Sequence, residues 1–325
     1  MKLSSNFSII RGASMSKTSD THHTDPTVLR KTVIASRGAV NPSACKLIQN
    51  LPLHPMEMVA LSVNKRYPRE RQTRSYACSG ESLGKDTTAS INAPCETYVS
   101  DNKQIEAICR SGDFVRVLVD MADSDDVVMT ALFEESIDPQ CRHQVARDAS
   151  AVLSRTRKPV LVTAGEHSAR AKGNLLVAVR EGTKRTRLTE YHIDISDMAG
   201  IEVVVLSVAS PFWPVFSKMA VGMRSGQGKV VREIHDTQIQ DATDDAMFLS
   251  DTLRARGAKS WGIGKVGKFV SETRNTAESC DCALICIPVN DTDMAHVRRI
   301  RSLLVELLGC TRIPILMLPQ KAGVC

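Results

Sequence analysis

Short apolar runs alternate with stretches in which apolar residues recur every three or four positions, and the chain passes through that alternation twice. In the first passage Thr32-Val33-Ile34-Ala35 reads as a strand, residues 42–48 can start a helix, and MVALSV at 58–63 is a second strand. A polar, arginine-rich loop over 64–90 and a short strand, CETYV at 95–99, come next. Ile105, Ile108 and Cys109 have the i, i+3, i+4 spacing of a short helix. FVRVLVDM at 114–121 reads as a strong fourth strand, with an acidic loop over 122–138 behind it. Val145, Ala149, Val152 and Leu153 then mark one face of a helix that ends before KPVLV.

The second passage keeps the order. NLLVAV at 174–179 is a strand, residues 183–199 are an unusually polar helix closed by Gly200 as a C′ glycine, and VVVLSV at 203–208 echoes MVALSV. After a long loop over 209–240, Ala242, Ala246, Leu249 and Leu253 define a helix that Gly257 stops. SWGIGKV is a glycine-weakened strand, 270–279 a short helix, and CALICIPV at 282–289 a strong strand. Ile300, Leu303, Leu304, Leu307 and Leu308 form the apolar stripe of a last helix before IPILML. The two passages close on nearly the same phrase, TRKPVLVTAG at 156–165 and TRIPILMLPQ at 311–320. Pro159 and Pro314 each stand just before an apolar run, where a residue without an N–H is tolerated at the start of a strand. Near-continuous apolar strands separated by helices imply a parallel sheet covered on both faces with right-handed crossovers. The expectation is an α/β chain of two doubly wound parallel-sheet domains in tandem, over 30–166 and 172–320, behind a disordered tail over 1–29.

Composition narrows the picture. The chain has 325 residues with 42% apolar and 24% charged residues, an ordinary globular balance, and a formal charge of +6 that does not demand a nucleic-acid partner. Aromatics are only 4%, so the core must come from Val, Leu, Ile, Ala and Met. No apolar run is long enough to span a membrane. The start, MKLSSNFSIIRGAS, is a poor secretory signal, and Met15 is an alternative start. Ten cysteines, several of them in apolar runs as Cys109, Cys282 and Cys286 are, read as buried free thiols of a reduced cytoplasmic protein.

The short motifs are weaker than they look. Gly262, Gly264 and Gly267 match G-x-G-x-x-G, but a dinucleotide fingerprint follows a strand and opens a helix, whereas these lie in and just after a strand. GMRSGQGK at 222–229 fails as a phosphate loop at Met223 and Val230. Cys280, Cys282 and Cys286 lack a second ligand pair for zinc and read as core thiols. Lys65, Arg66, Arg69, Arg71 and Arg74 form a basic loop with only Tyr67 and Tyr76 for stacking, so a solvated loop fits better than a nucleic-acid site. Arg298, Arg299 and Arg301 are the wet face of the last helix, the histidines show no metal spacing, and no nucleophile turn is present.

From about residue 30 to 320 the layout resembles the universal stress protein family in its tandem form. The phrases that carry the resemblance are NLLVAVREGT, VVVLSVASP, DAMFLSDTLRARGAKSWGIGKVG, AESCDCALICIPV and IPILMLP, echoed more faintly by KTVIASRG, VALSV, FVRVLVD and KPVLVTAG. The resemblance implies an adenine-nucleotide-hydrolase-like or flavodoxin-like α/β fold, a role in stress adaptation without a known reaction, and pairing through the strand that ends each domain, here 159–163 and 314–318, with a protein partner or between the two halves of this chain as an internal pseudo-dimer. ATP-binding members carry an aspartate after the first strand and a glycine-rich G-x2-G-x9-G-[S/T] loop after the fourth. This chain instead has Ser36-Arg37-Gly38 and Arg180-Glu181-Gly182 after its first strands. Acidic, glycine-free segments follow the expected fourth strands, MADSDDVVMTALFEES and NDTDMAHVRR. Carboxylates in those places would repel phosphates. The expectation is therefore a non-enzymatic stress-type regulatory or interaction module that does not bind ATP. The alternative is a nucleotide-binding protein with a divergent site, a weak ATPase among them. Arg180, Val208 and Pro288, at the carboxyl edge of the second sheet, are the candidate ligand positions.

Overall fold

The computed structural model describes residues 31–37, 57–64, 94–100, 103–134, 138–156, 158–165, 173–180, 201–211, 227–255, 257–289 and 297–319, with a few isolated positions between them. Eleven strands form one sheet: β1 (Lys31–Ser36), β2 (Glu57–Asn64), β3 (Pro94–Ser100), β4 (Lys103–Ser111), β5 (Val127–Glu134), β6 (Val160–Ala164), β7 (Asn174–Arg180), β8 (Glu202–Ala209), β9 (Lys259–Val266), β10 (Cys282–Val289) and β11 (Ile315–Pro319). Five helices are described: α1 (Phe114–Ala122), α2 (Pro139–Thr156), α3 (Gln227–Ala255), α4 (Phe269–Ser279) and α5 (Val297–Cys310). Ala44, Leu47 and Ile48 are also helical, within the stretch read as a helix start.

The strand order is β3-β4-β2-β1-β5-β6-β11-β10-β7-β8-β9. Each half therefore has the same internal order, third, second, first, fourth and fifth strand, with β3 added antiparallel at the outer edge of the first half. All other pairings are parallel except one, β6 with β11, where Leu161 lies opposite Leu316. The expectation of two separate sheets is thus modified. The strands expected to mediate association pair with each other inside the chain and fuse the halves into a single sheet. An apolar strand edge left bare would recruit another chain, and this seam covers both edges at once.

Helices α1, α2, α4 and α5 cover one face. Phe114, Leu118, Val145, Val152, Leu153, Ala277, Ile300, Leu304 and Leu307 join strand residues there in a cluster that crosses the seam. The other face holds α3, through Ala246, Leu249 and Leu253, and the helical residues Ala44 and Ile48.

Three expectations in the first half are corrected. FVRVLVDM is not the fourth strand but helix α1. Asp113 caps it by accepting from the N–H of Arg116 at 2.9 Å, and Phe114, Leu118 and Ala122 form its buried face. The fourth strand is β5, inside the segment read as an acidic loop. Ile105, Ile108 and Cys109 lie on a strand, β4, not on a helix. With these changes the internal repeat becomes regular. Phe114 and Phe269, Asp126 and Asp281, and Pro159 and Pro314 all keep one separation of 155 positions. The extra acidic insertion disappears.

In the second half α3 begins at Gln227, so part of the expected 209–240 loop is helical. The polar helix at 183–199 and most of the basic loop at 64–90 lie outside the described residues. Cys109 is disulfide-bonded, which corrects the all-reduced reading at that position. Among the described residues no helix is long and apolar enough to cross a membrane.

Candidate functional site

In an open α/β sheet the ligand crevice lies outside the carboxyl ends of the strands, where the strand order reverses. Both halves have that switch point beside their first strand, β1 and β7. Side chains alternate along a strand, so Arg37, just after β1, follows Val33 and Ala35 onto the face covered by α1 and α2. There its guanidinium stacks on the ring of Phe114, 4.5 Å from the centroid. It also donates to Asp148 Oδ2, from Nε at 3.1 Å and from Nη2 at 2.6 Å. Asp148 lies on α2 and is 2% exposed. One turn earlier on the same helix, Gln144 Nε2 donates to both Asp148 oxygens, at 2.8 and 3.0 Å. The carboxylate is buried, and these donors supply the hydrogen bonds that burial of a charge requires.

The start of α2 is closed in a similar way. Gln140 N–H donates to Asp138 Oδ1 at 2.7 Å, so a carboxylate of the chain meets the amides at this helix N-terminus. The segment between β5 and α2 is Glu135-Ser136-Ile137-Asp138, shorter than the one expected from the sequence and likewise without glycine. The hollow bounded by Ser36, Arg37, Phe114, Glu134, Gln144 and Asp148 encloses about 10 Å³. That leaves room for about one water molecule beside the pair.

The second half repeats the arginine and the aromatic. Arg180, the last residue of β7, stacks on Phe269 of α4 with 4.7 Å to the ring centroid. Phe114 and Phe269 each open a helix after a Gly-x pair, Gly112-Asp113 and Gly267-Lys268. The capping residue differs, since Lys268 makes no side-chain bond to the end of α4. Nearby, Lys265 pairs with Glu272 at 3.3 Å.

Of the three candidate positions, Arg180 and Val208 are register partners on β7 and β8, and both belong to the α4 face. Pro288 lies on β10 at the same rim. Its strand neighbours Ile287 and Val289 join the α4-side cluster, so Pro288 faces the other side. The rim thus brings together two of the three. Sequence reasoning missed Phe114, Gln144 and Asp148. The repeated Gly-x-Phe-Val of 112–115 and 267–270 was the available signal.

The remaining candidates sort as follows. Gly262 and Gly264 lie within β9 with their backbone against α3, and no helix opens after them until Phe269. Cys280, Cys282 and Cys286 are free thiols. Burial, and then the neighbouring Cys280, pushes the Cys282 thiol up to about 12, and burial pushes Cys286 up as well. Neither is a nucleophile at neutral pH. Among the described residues no group of three His, Cys, Asp or Glu side chains could hold a metal.

No protein-family model matches the sequence, and no curated protein matches it. Solved structures do match in fold. A universal stress protein from Archaeoglobus fulgidus DSM 4304 superposes with a TM-score of 0.51 at 12% identity, covering 89% of this chain and 96% of that one. A putative universal stress protein from Pseudomonas aeruginosa UCBPP-PA14 gives 0.51 at 12%, over 89% and 93%. A protein of unknown function from Pseudomonas aeruginosa PAO1 gives 0.51 at 13%, over 90% and 93%. The class defined by sheet order and rim is an open, doubly wound α/β protein built from a repeated unit. Its fold is that of the universal stress proteins, in agreement with the resemblance read from the sequence.

Proposed function

We propose that the chain is a universal-stress-type protein that acts without an enzymatic reaction, as a regulatory or interaction module of stress adaptation, and that it does not bind ATP. Its units are residues 30–166 and 172–320, behind a tail over 1–29, and its compartment is the cytoplasm. The observation that carries this reading is that the rim of the first half already holds the chain's own anions. Asp148 takes the Arg37 guanidinium, and Asp138 takes the N–H of Gln140 at the start of α2. A triphosphate brought there would meet carboxylates in the places where it needs donors.

The alternative, a nucleotide-binding protein with a divergent site, draws on the second half alone, where Lys268 replaces the capping Asp113. Titration calorimetry of the full chain with ATP and magnesium separates the two. The expected result is no heat of binding. Micromolar affinity at either half would overturn the first reading.

A further inference from the structure

The formal charge of the chain is modest, but it is unevenly placed. Helix α2 carries Arg142, Arg147 and Arg155 against one acid, Asp148, which is buried and paired with Arg37. Helix α5 carries Arg298, Arg299 and Arg301 against one acid, Glu306. Helix α3, on the opposite face of the sheet, has six acidic residues to three basic ones.

The fold brings the two arginine sets together. Helices α2 and α5 pack on each other over the seam. They run in opposite directions, because the strands that follow them, β6 and β11, are antiparallel. The start of α2 thus lies beside the end of α5, where a Cβ at Gly309 would meet Arg142 at 3.1 Å. By the same two-fold relation the start of α5, with Arg298, Arg299 and Arg301, lies beside the end of α2, with Arg155. Arg147, Arg155, Arg298, Arg299 and Arg301 are exposed. Among the described residues Arg155 and the three arginines of α5 form no ion pair, and Arg147 reaches only Asp148, at 3.9 Å. The arginines are also no part of the repeated framework. At the separation of 155 positions Arg298, Arg299 and Arg301 correspond to His143, Gln144 and Ala146. Arg142, Arg147 and Arg155 correspond to Val297, Ser302 and Cys310. Each half has placed its own set on the same side of the seam, at positions where the other half does without them.

The chemistry of this face selects among anionic partners. Its basic charges are all arginine, whose planar fork matches phosphate oxygens bidentately. Neither helix contains a Phe, Tyr or Trp, so the face offers no platform on which the bases of a single strand could stack. The exposed large apolar side chains among the described residues, Met247, Phe248 and Trp261, lie on α3 and β9. The face therefore has no anchor for a protein hot spot or for insertion into lipid. From Arg142 to Arg155 the helix pair spans about 20 Å, a length over which duplex nucleic acid presents on the order of a dozen phosphates.

We propose that the outer face of the α2–α5 pair docks the phosphate backbone of double-stranded nucleic acid without reading its sequence. Phosphate contacts position a protein on a duplex and carry no base information. The inference rests on the interaction role proposed above and gives it a partner; it does not depend on whether ATP binds.

The test uses the full chain and a labelled DNA duplex two helical turns long, with fluorescence anisotropy over a salt series. The wild type should bind duplexes of unrelated sequence alike. Its log affinity should fall against log salt with a slope of about −3 to −5, as expected for four or five phosphate contacts. Arg298→Ala/Arg301→Ala should weaken binding at least about tenfold and make the slope shallower by about two. Arg147→Ala, on the other helix, should make it shallower by about one. Lys259→Ala on β9 should leave binding unchanged. A wild type that ignores the duplex at low salt, or a folded double variant that binds like the wild type, would overturn the proposal. So would a loss that follows Arg69→Ala/Arg71→Ala in the basic loop instead. Competition by polyglutamate as effective, charge for charge, as by duplex, or tighter binding to phosphatidylserine vesicles, would assign the face to an acidic protein or a membrane and overturn it as well. Heat on titration with ATP and magnesium would overturn the ATP-free reading alone, so the two fail separately.

Discussion

Gly264 shows how a motif can be legible as chemistry and turn out to be packing. A Cβ built there would lie 2.6 Å from the backbone carbon of Ala242 and closer still to Thr243 of α3. At Gly262 it would lie 2.6 Å from the backbone carbon of Ala246. These glycines let α3 sit directly on β9, which is why they recur at alternate strand positions on the face turned toward the helix. Gly264→Ala should therefore cost stability in the upper part of the ~1–3 kcal/mol seen for overpacking, because the obstacle is backbone that cannot rotate away. Gly309→Ala is the contrast. Its Cβ would meet only the mobile end of Arg142, at 3.1 Å, and alanine favours the helix by up to about 1 kcal/mol, so stability should hold or rise. Urea midpoints of the two variants measure the difference, and equal midpoints would refute the packing account. The sequence allowed the strand-glycine reading because the alternate spacing of Gly262 and Gly264 inside an apolar run is local. It did not disclose Asp148 as the partner of Arg37, since no local pattern carries a pairing across 111 positions.

At the level of elements, the legible ones were those whose pattern agreed with their length and ends. Strand β10, CALICIPV, is buried along nearly its whole length between β7 and β11, and helix α5 shows its stripe through Ile300, Leu304, Leu307 and Leu308. The misread element, FVRVLVDM, is apolar at six of eight positions, so its period was hidden and its β-branched residues suggested a strand. Its cap decided the matter, with Asp113 placed to receive the N–H of Arg116. The true strand VVMTALFE was passed over because it lies between acidic residues. The seam strands were correctly read from Pro159 and Pro314, and they pair with each other as the tandem layout led one to expect.

That pairing makes a prediction at this scale. Leu316 is 3% exposed on β11, opposite Leu161 of β6, with β10 on its other side. Leu316→Ala should cost about 2–5 kcal/mol as a buried truncation. Leu316→Asp should cost more, since it buries a charge with no partner, and should appear as insoluble expression or a sharply lowered denaturation midpoint. Unchanged stability and solubility would show that the seam does not hold the halves together.

For the whole molecule, the seam joins the two halves into one continuous sheet. Both large apolar clusters cross it: one contains Val162 and Ile315, the other Leu161 and Leu316. Helices α2 and α5 also pack on each other over it. The β6–β11 pairing is antiparallel between equivalent strands of a repeated unit, so the halves are related as the subunits of a two-fold dimer would be. It follows that the intact chain should unfold in a single transition. Cutting between residues 166 and 172 should leave each half with a bare, largely apolar edge, Val160–Ala164 or Ile315–Pro319. The isolated second half can satisfy that edge with the β11 of another copy, in the same antiparallel geometry that β6 now provides. The prediction is a homodimer or precipitate for residues 172–320 alone, and a one-to-one complex when residues 30–166 are supplied during refolding. Light scattering after size exclusion reads both outcomes. Two soluble, monomeric halves that unfold independently, with midpoints matching two separate transitions in the intact chain, would show that each half is complete without the other and that the continuous sheet adds nothing to its stability.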